Sequence, residues 1–340
     1  MKKFTLVLAV VLASVMTAGA ATHQLNDGMK AKQRHELFTP KTRLDLGSAA
    51  MRKAPQKAEE YTPTVAPVNY SMNLDDWYNG WDTYEDYFAS SFYFEEDGTV
   101  YMTTISPYCY SDGLLKGEMD GSDIVLTFPI EANLGGYDFI ISTGSYDEEN
   151  DDFNVTNEDY RFTVTDDGIV SADPDLSLIF YVNYYGDGEY WLYGADRNYS
   201  MTPVEVETTT VPEGLTMETF TKQYENGYGS TSFTQLNVAV DGSDIYVQGL
   251  FPSAETAWVK GQIDGDKVVF PADPCLGIIS GYIEYGAFSY FEGGNIYYGG
   301  VEGEFTYDPD TRVMTYDNYL FTVDQTYAYF NYTYVSGITR

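Results

Sequence analysis

The chain has 340 residues, with 18 Lys and Arg against 52 Asp and Glu, two histidines and a formal charge of −34. Such a surface repels nucleic-acid phosphate and anionic lipid headgroups, both of which are held by Lys and Arg clusters. Hydrophobic residues make up 44% of the chain and aromatic ones 16%, including 33 Tyr, which is enough apolar material for more than one core.

Lys2 and Lys3 precede an apolar run from Phe4 to Met16, and Ala18-Gly19-Ala20 follows with the small residues that precede signal cleavage. Residues 1–20 therefore read as a signal peptide, with export to the periplasm, the cell surface or the medium. The apolar run is too short for a transmembrane helix, and no later stretch has the ~20 apolar residues such a helix needs. Residues 21–70 form a weakly basic, Ala- and Pro-containing stretch that holds both histidines, His23 and His35. This composition predicts a flexible leader. Residues 71–340 then carry only 8 of the basic groups but 47 of the acidic ones.

The rest of the sequence is written twice. KGEMDG at 116–121 returns as KGQIDG at 260–265, Asp97-Gly98 returns as Asp241-Gly242, and Phe162-Thr163 as Phe305-Thr306. A period near 144 residues is a domain rather than a solenoid unit, so we expect two tandem domains at 71–205 and 206–340. Within the second, TSFTQLNVAV, DIYVQGL, AWVKGQI and KVVFP are short β-branched or aromatic segments separated by Asp-Gly turns. No stretch sustains helical periodicity. The fold class is all-β: two duplicated antiparallel meanders, each closed as a barrel or folded as a sandwich to hide one face and its edges. An outer-membrane barrel is disfavoured by the duplication and by the polar end Gly-Ile-Thr-Arg340.

Alternation places Ile245, Val247, Ala257, Val259 and Ile263 on a core face and Tyr246, Gln248, Trp258, Lys260 and Gln262 on the opposite one. The first copy has Tyr101 and Lys116 at matching positions. A face that repeats Tyr and Lys where bases are scarce is a candidate ligand surface, against a plainer reading in which each Lys pairs with a carboxylate and each Tyr packs across strands. Trp77 and Trp81, in DDWYNGWD, are further candidate aromatic binders. Asp147, Glu148, Glu149, Asp151 and Asp152 supply hard oxygen ligands for a structural Ca²⁺, although their run lacks EF-hand spacing and reads first as a solvated turn. Cys109 and Cys275 are not repeat equivalents, so a disulfide between them would join the two copies.

Neither domain holds a histidine, which removes Ser-His-Asp, Cys-His and His-zinc chemistry. No glycine-rich phosphate loop precedes a helix, and no organic cofactor is implied. Carboxylate-only glycan hydrolysis survives this filter, since it needs two acids and nothing else.

The segment DIYVQGLFPSAETAWVKGQIDGDKVVFP, with Leu276-Gly277 after it and the leader KAPQKAEEYTPTVAP, resembles exported tandem β-repeat proteins of gut and oral Bacteroidetes. The resemblance covers the middle of the second copy closely and the first copy loosely. It implies export and origin, and it carries no catalytic residue across. The expected function is a non-catalytic exported binding protein for a glycan or a protein; the alternatives are a carboxylate-only hydrolase and a structural component of the cell surface.

Overall fold

The computed structural model describes residues 23–24, 43–46, 48, 51, 54–57, 61–77, 81–106, 110–134, 137–225, 230–279 and 281–340. They are all-β, with no helix. Two short strands come first, β1 (His23–Gln24) and β2 (Gln56–Lys57). Twelve strands follow: β3 (Val68–Trp77), β4 (Trp81–Phe94), β5 (Thr99–Thr104), β6 (Tyr110–Asp120), β7 (Asp123–Leu126), β8 (Ile130–Leu134), β9 (Tyr137–Asp147), β10 (Asp152–Val155), β11 (Tyr160–Val164), β12 (Ile169–Ser171), β13 (Ser177–Asn183) and β14 (Trp191–Pro203). Twelve more complete the chain: β15 (Glu218–Glu225), β16 (Thr231–Asp241), β17 (Asp244–Gln248), β18 (Trp258–Asp264), β19 (Lys267–Phe270), β20 (Cys275–Ile279), β21 (Tyr282–Glu292), β22 (Asn295–Tyr298), β23 (Gly303–Asp308), β24 (Val313–Thr315), β25 (Asn318–Val323) and β26 (Tyr329–Thr339).

The duplication seen in the sequence is complete at the level of topology: each strand from β3 to β14 pairs as the strand twelve places later does. In the first copy the order β3-β4-β5-β6-β7-β11-β12-β14 returns to β3, and in the second β15-β16-β17-β18-β19-β23-β24-β26 returns to β15. The rings close through Ile169↔Met201 and Val170↔Ser200 in one case and Met314↔Ile338 in the other. Each is an eight-stranded antiparallel barrel. A side sheet branches from the last strand: β13, β9 and β8 from β14, and β25, β21 and β20 from β26, with β10 and β22 pairing on β9 and β21. The chain divides into two compact units, 35–206 with 278–283 and 207–277 with 284–340 and 1–34.

The repeated KG…DG motif has a steric reason at both glycines. Asp120 and Asp123 are the last paired residues of β6 and β7, so Gly121 is the first turn residue, with φ 69°. Gly265 does the same between β18 and β19 at φ 63°. Glycine in that place is what a tight hairpin of the matching twist needs. The glycine after Lys answers to packing: a Cβ at Gly117 would lie 2.9 Å from Ile124 Cγ2, and one at Gly261 2.8 Å from Phe270 Cδ1.

Both barrel interiors are largely apolar. Met72, Phe92, Val100, Met102, Leu115, Ile124, Phe162 and Met201 fill the first, and Phe220, Val238, Ile245, Val247, Val259, Val268, Phe305 and Ile338 the second, all buried. Outward positions of β16 and β18 alternate with these and are exposed, Gln235, Asn237, Lys260 and Gln262 among them. This is the reverse of a lipid-facing barrel wall. No described helix is long and apolar enough to cross a membrane. β13 is buried along its whole length: Leu178, Phe180 and Val182 join the barrel core, while Ile179 and Tyr181 meet Trp77, Phe153, Leu192 and Ile140 in a second cluster.

That second cluster corrects one sequence expectation. Part of the stretch expected to be a flexible leader is built into the first unit. Leu44 is 6% exposed in the second cluster, with its N–H donating to Tyr190 O at 2.8 Å. Gln56 and Lys57 pair in parallel with Ile130 and Glu131, and β3 begins at Val68, ahead of the expected boundary at 71. The leader's basic residues take part: Arg43 pairs with Glu189 at 2.9 Å and Lys57 with Glu131 at 3.5 Å. Both pairs are exposed and weak, worth roughly 0–1 kcal/mol each, so the buried Leu44 is the firmer tie.

In the second unit two phenylalanines lie across glycines. A Cβ on Gly286 would stand 2.3 Å from the Phe251 ring, and one on Gly303 2.2 Å from Phe288, both rings being buried. Gly303→Val is expected to lower unfolding free energy by about 1–3 kcal/mol, read from the urea midpoint, because neither ring nor strand can withdraw.

Candidate functional site

The residues singled out in the sequence fall into four groups, two of which, the Trp77–Trp81 pair and the acidic run, meet at Tyr146. On β17 and β18, Tyr246 stands opposite Lys260 and Gln248 opposite Trp258. Lys260 Nζ is 2.6 Å from Asp244 Oδ2 and 5.7 Å from the centre of the Tyr246 ring, and the carboxylate raises its pKa. Tyr246, on the outer face, is only 4% exposed, as deeply buried as its core neighbours. Gln248 accepts from Asn237 Nδ2 at 2.8 Å and donates to Thr256 O at 3.1 Å. In the first unit Tyr101 stands opposite Lys116 and is covered by Tyr61, ring centres 4.0 Å apart and planes 14° from parallel. Thr64 fixes that cover by donating from its backbone N–H to Glu95 Oε1 at 2.9 Å. At Lys260 the geometry is that of the plainer reading, with Lys paired to a carboxylate beside a cross-strand Tyr, while Tyr101 packs under Tyr61.

Trp77 and Trp81 close the β3–β4 hairpin opposite each other. Trp77 is 2% exposed and edge-on to Phe153 at 5.3 Å, while Trp81 is edge-on to Tyr146 at 5.7 Å and carries the Arg197 guanidinium 3.8 Å above its ring. These rings are a packed cluster over β13.

The acidic run forms the turn between β9 and β10. Asp147 accepts from the N–H groups of Glu149 and Asn150 at 3.0 and 3.3 Å, which lowers its pKa; the Asn150 side chain adds the largest share of that shift. Asp151 accepts from the Tyr146 hydroxyl at 2.6 Å and Asp152 from the Phe153 N–H at 2.8 Å, while Glu148 and Glu149 are exposed. Among the described residues no group of three or more His, Cys, Asp or Glu is placed to hold a metal ion. Cys275 is a free thiol on β20, pushed up in pKa by burial; Cys109, its expected partner, lies outside the described residues.

Three features escaped the sequence reading. The first is an exposed aromatic cluster at one end of the first unit's side sheet: Tyr137, Tyr184 and Tyr185 are 43%, 47% and 66% exposed. Tyr137 opens β9, and Tyr184 and Tyr185 follow β13. The Tyr137 and Tyr184 rings are within 4° of parallel with centres 5.4 Å apart, and Tyr185 meets Tyr184 edge-on at 5.3 Å. Asp187 orders the turn by accepting from the Glu189 N–H at 2.9 Å. The matching β25–β26 turn of the second unit, 324–328, is shorter and closed by Asp324, which accepts from Thr326 N and Ala328 N. The sequence signal was the doublet Tyr184-Tyr185 directly before Gly-Asp-Gly, a large aromatic pair placed in a turn rather than a strand.

The second feature is Lys222, in the second barrel's wall where the first has Met72, since Ile338 and Met201 stand opposite them in the two closing strands. Its Nζ donates to Gly249 O and Leu250 O, each at 2.9 Å, and it is 4% exposed. Burial lowers its pKa to about 8. The third is the pair Asp76 and Asp196, buried side by side on β3 and β14. Burial first and the Asp76 charge second push the Asp196 carboxyl well above the usual carboxylate range.

The fold defines a class: two closed eight-stranded barrels in tandem, each with a branching side sheet. Compared with known proteins, the chain matches no family model, no curated protein and no solved structure.

Lys222 yields a pH prediction. Its folded pKa lies below the usual 10.5, so the unfolded chain binds the proton more tightly, and stability must rise with pH between about 8 and 10.5. Lys222→Met is expected to flatten that rise, read as urea midpoints across this range. A rise that persists in the variant would assign it to another group.

Proposed function

We propose that the protein is an exported, non-catalytic binding protein, and that a glycan is the ligand its surface suits best. The observation that carries this reading is the exposed cluster of Tyr137, Tyr184 and Tyr185. Burying aromatic rings is strongly favourable, so three large exposed rings, joined through Tyr184, form a ready surface for a partner. The parallel Tyr137 and Tyr184 rings offer their faces to the C–H side of a sugar ring. Asn133, Asp138 and Asp187, all exposed close by in sequence or strand register, can accept from or donate to hydroxyls. The negative charge of the chain favours neutral or cationic glycans over uronates and sulfated chains.

The hydrolase reading gains nothing from the buried pair: Asp76 and Asp196, set side by side on β3 and β14, are 3% and 0% exposed inside the first unit, where no polysaccharide reaches them.

A glycan array probed with the mature chain tests the reading, with Tyr184→Ala/Tyr185→Ala beside it. The expected result is a competable hit that the double variant weakens at least about tenfold, since each base-like stacking platform removed costs on the order of 1 kcal/mol or more. Because both residues are exposed and lie in a turn, the variant should keep the wild-type unfolding midpoint. An array without any hit would turn attention to protein ligands.

A further inference from the structure

Asp196 occupies the branch point of the first unit. It is the last residue of β14 paired with β13, opposite Leu178, and Ser200 is the first of its residues paired with β12 in closing the barrel. Between them the pairing of β14 with β3 shifts register from Arg197 to Ser200, and Asn198 turns to φ 54°. On the other edge of β14, Asp196 stands directly opposite Asp76. Cβ atoms of directly opposed antiparallel residues are about 4.5–5.5 Å apart, so the two carboxyls are neighbours in a site that is almost dry.

Among the described residues, the groups that act on Asp196 offer it no counter-charge. Its partners are Asp76 on β3, Ser106 after β5 and the Tyr199 hydroxyl, 3.4 Å from Oδ2. Tyr160 on β11 feels the charges of both Asp196 and Asp173, the latter after β12. Arg197 is next in sequence and alternates to the other side of the sheet, over Trp81. Two carboxylates cannot hydrogen-bond to each other unless one carries a proton. Two full charges ~4 Å apart repel by roughly 4 kcal/mol even in a well-screened protein interior.

We propose that Asp76 and Asp196 share one proton at neutral pH, and that this proton holds β14 at the branch where the side sheet leaves the barrel. The second unit is the internal control. Thr333 takes the place of Asp196 there, opposite Leu320 as Asp196 is opposite Leu178, so the same branch carries no acid pair. An acid bound more tightly to its proton in the folded state stabilises at low pH, and that contribution is lost as pH rises through the folded value. The first unit therefore loosens from acid towards alkaline pH at its barrel seam.

The test uses the full chain and Asp196→Asn, whose amide N–H replaces the shared proton as donor to Asp76. Three of the four tryptophans, Trp77, Trp81 and Trp191, lie in the first unit, so tryptophan fluorescence reports its unfolding. From mildly acidic to alkaline pH the wild-type midpoint is expected to fall by about 3 °C or more, and that of Asp196→Asn to stay level. Infrared difference spectra of the wild type should show a protonated carboxyl stretch at neutral pH that disappears at alkaline pH. If the two proteins decline in parallel, or if the wild type has no protonated carboxyl at neutral pH, the proposal is wrong. It is equally overturned if added Ca²⁺ raises the wild-type midpoint at neutral pH and Asp196→Asn abolishes that rise, because the pair would then hold a cation. Should Asp196→Asn fail to fold, the infrared titration of the wild type decides alone.

Discussion

The last strand of each copy makes three sets of backbone hydrogen bonds. β14 pairs with β13 along its first half, with β12 near its end, and with β3 along its other edge. β26 does the same with β25, β24 and β15. An open eight-strand meander would leave two rows of unpaired donors and acceptors, and a ring removes both. By serving the ring and the side sheet together, the last strand also brings the side sheet's inner face onto the barrel, which is why Phe139, Ile141, Leu178, Phe180 and Val182 share a core with Met72 and Phe92. Everything else in each copy is arranged around that shared strand.

A branch of this kind is hard to build from regular pleat. The strand must change partners on one edge while keeping its partner on the other, and the irregularities collect there: a register shift and a positive φ at Asn198 in the first copy, a register shift between Gln223 and Tyr224 in the second. Extra residues in one strand bend it and increase its twist. Buried polar groups stand there too, Asp76 and Asp196 in the first copy and Thr333 in the second. Buried polar groups constrain geometry because they tolerate few alternative arrangements, and here they stand where the chain has two sheets to choose between.

How much of this could be read in advance depended on whether the determinant was local. The Asp-Gly turns and the doubled KG…DG motif announced hairpins and a duplication, because turn sterics act on neighbouring residues. Alternation in DIYVQGL and AWVKGQI separated Ile245, Val247 and Val259 from Gln248 and Lys260 correctly. It misjudged the depth of Tyr246, which is buried although it lies on the outer face beside Lys260. The order of the leader was invisible for a related reason: its composition is that of a disordered segment, and Leu44 and Gln56 are held by Tyr190 and Pro129, far along the chain. The choice between barrel and sandwich lay in the closing pairs Val170↔Ser200 and Met314↔Ile338. No pattern within either strand encodes such a pairing. Trp77 and Trp81 looked like binders because tryptophan in a polar turn is conspicuous, but the side sheet claims them. The exposed Tyr184 and Tyr185 were less conspicuous among 33 tyrosines.

The shared closing strand also sets the order in which the chain can fold. β3 must wait for β14, whose Met201 pairs with Met72 across almost the whole length of the first copy. Until that late segment has left the ribosome, the growing chain holds a row of hairpins with an open edge at each end and its largest apolar surfaces uncovered. Long-range closure of this sort is slow, and the waiting intermediate is the one most prone to pair with another chain. A tandem duplication repeats the hazard, with two identical topologies on one polypeptide and first strands that could each accept either last strand. The different side chains at the two branches, Asp196 in one and Thr333 in the other, with Met72 and Lys222 beside them, make the two closures chemically unlike, and so disfavour a strand from one copy completing the barrel of the other.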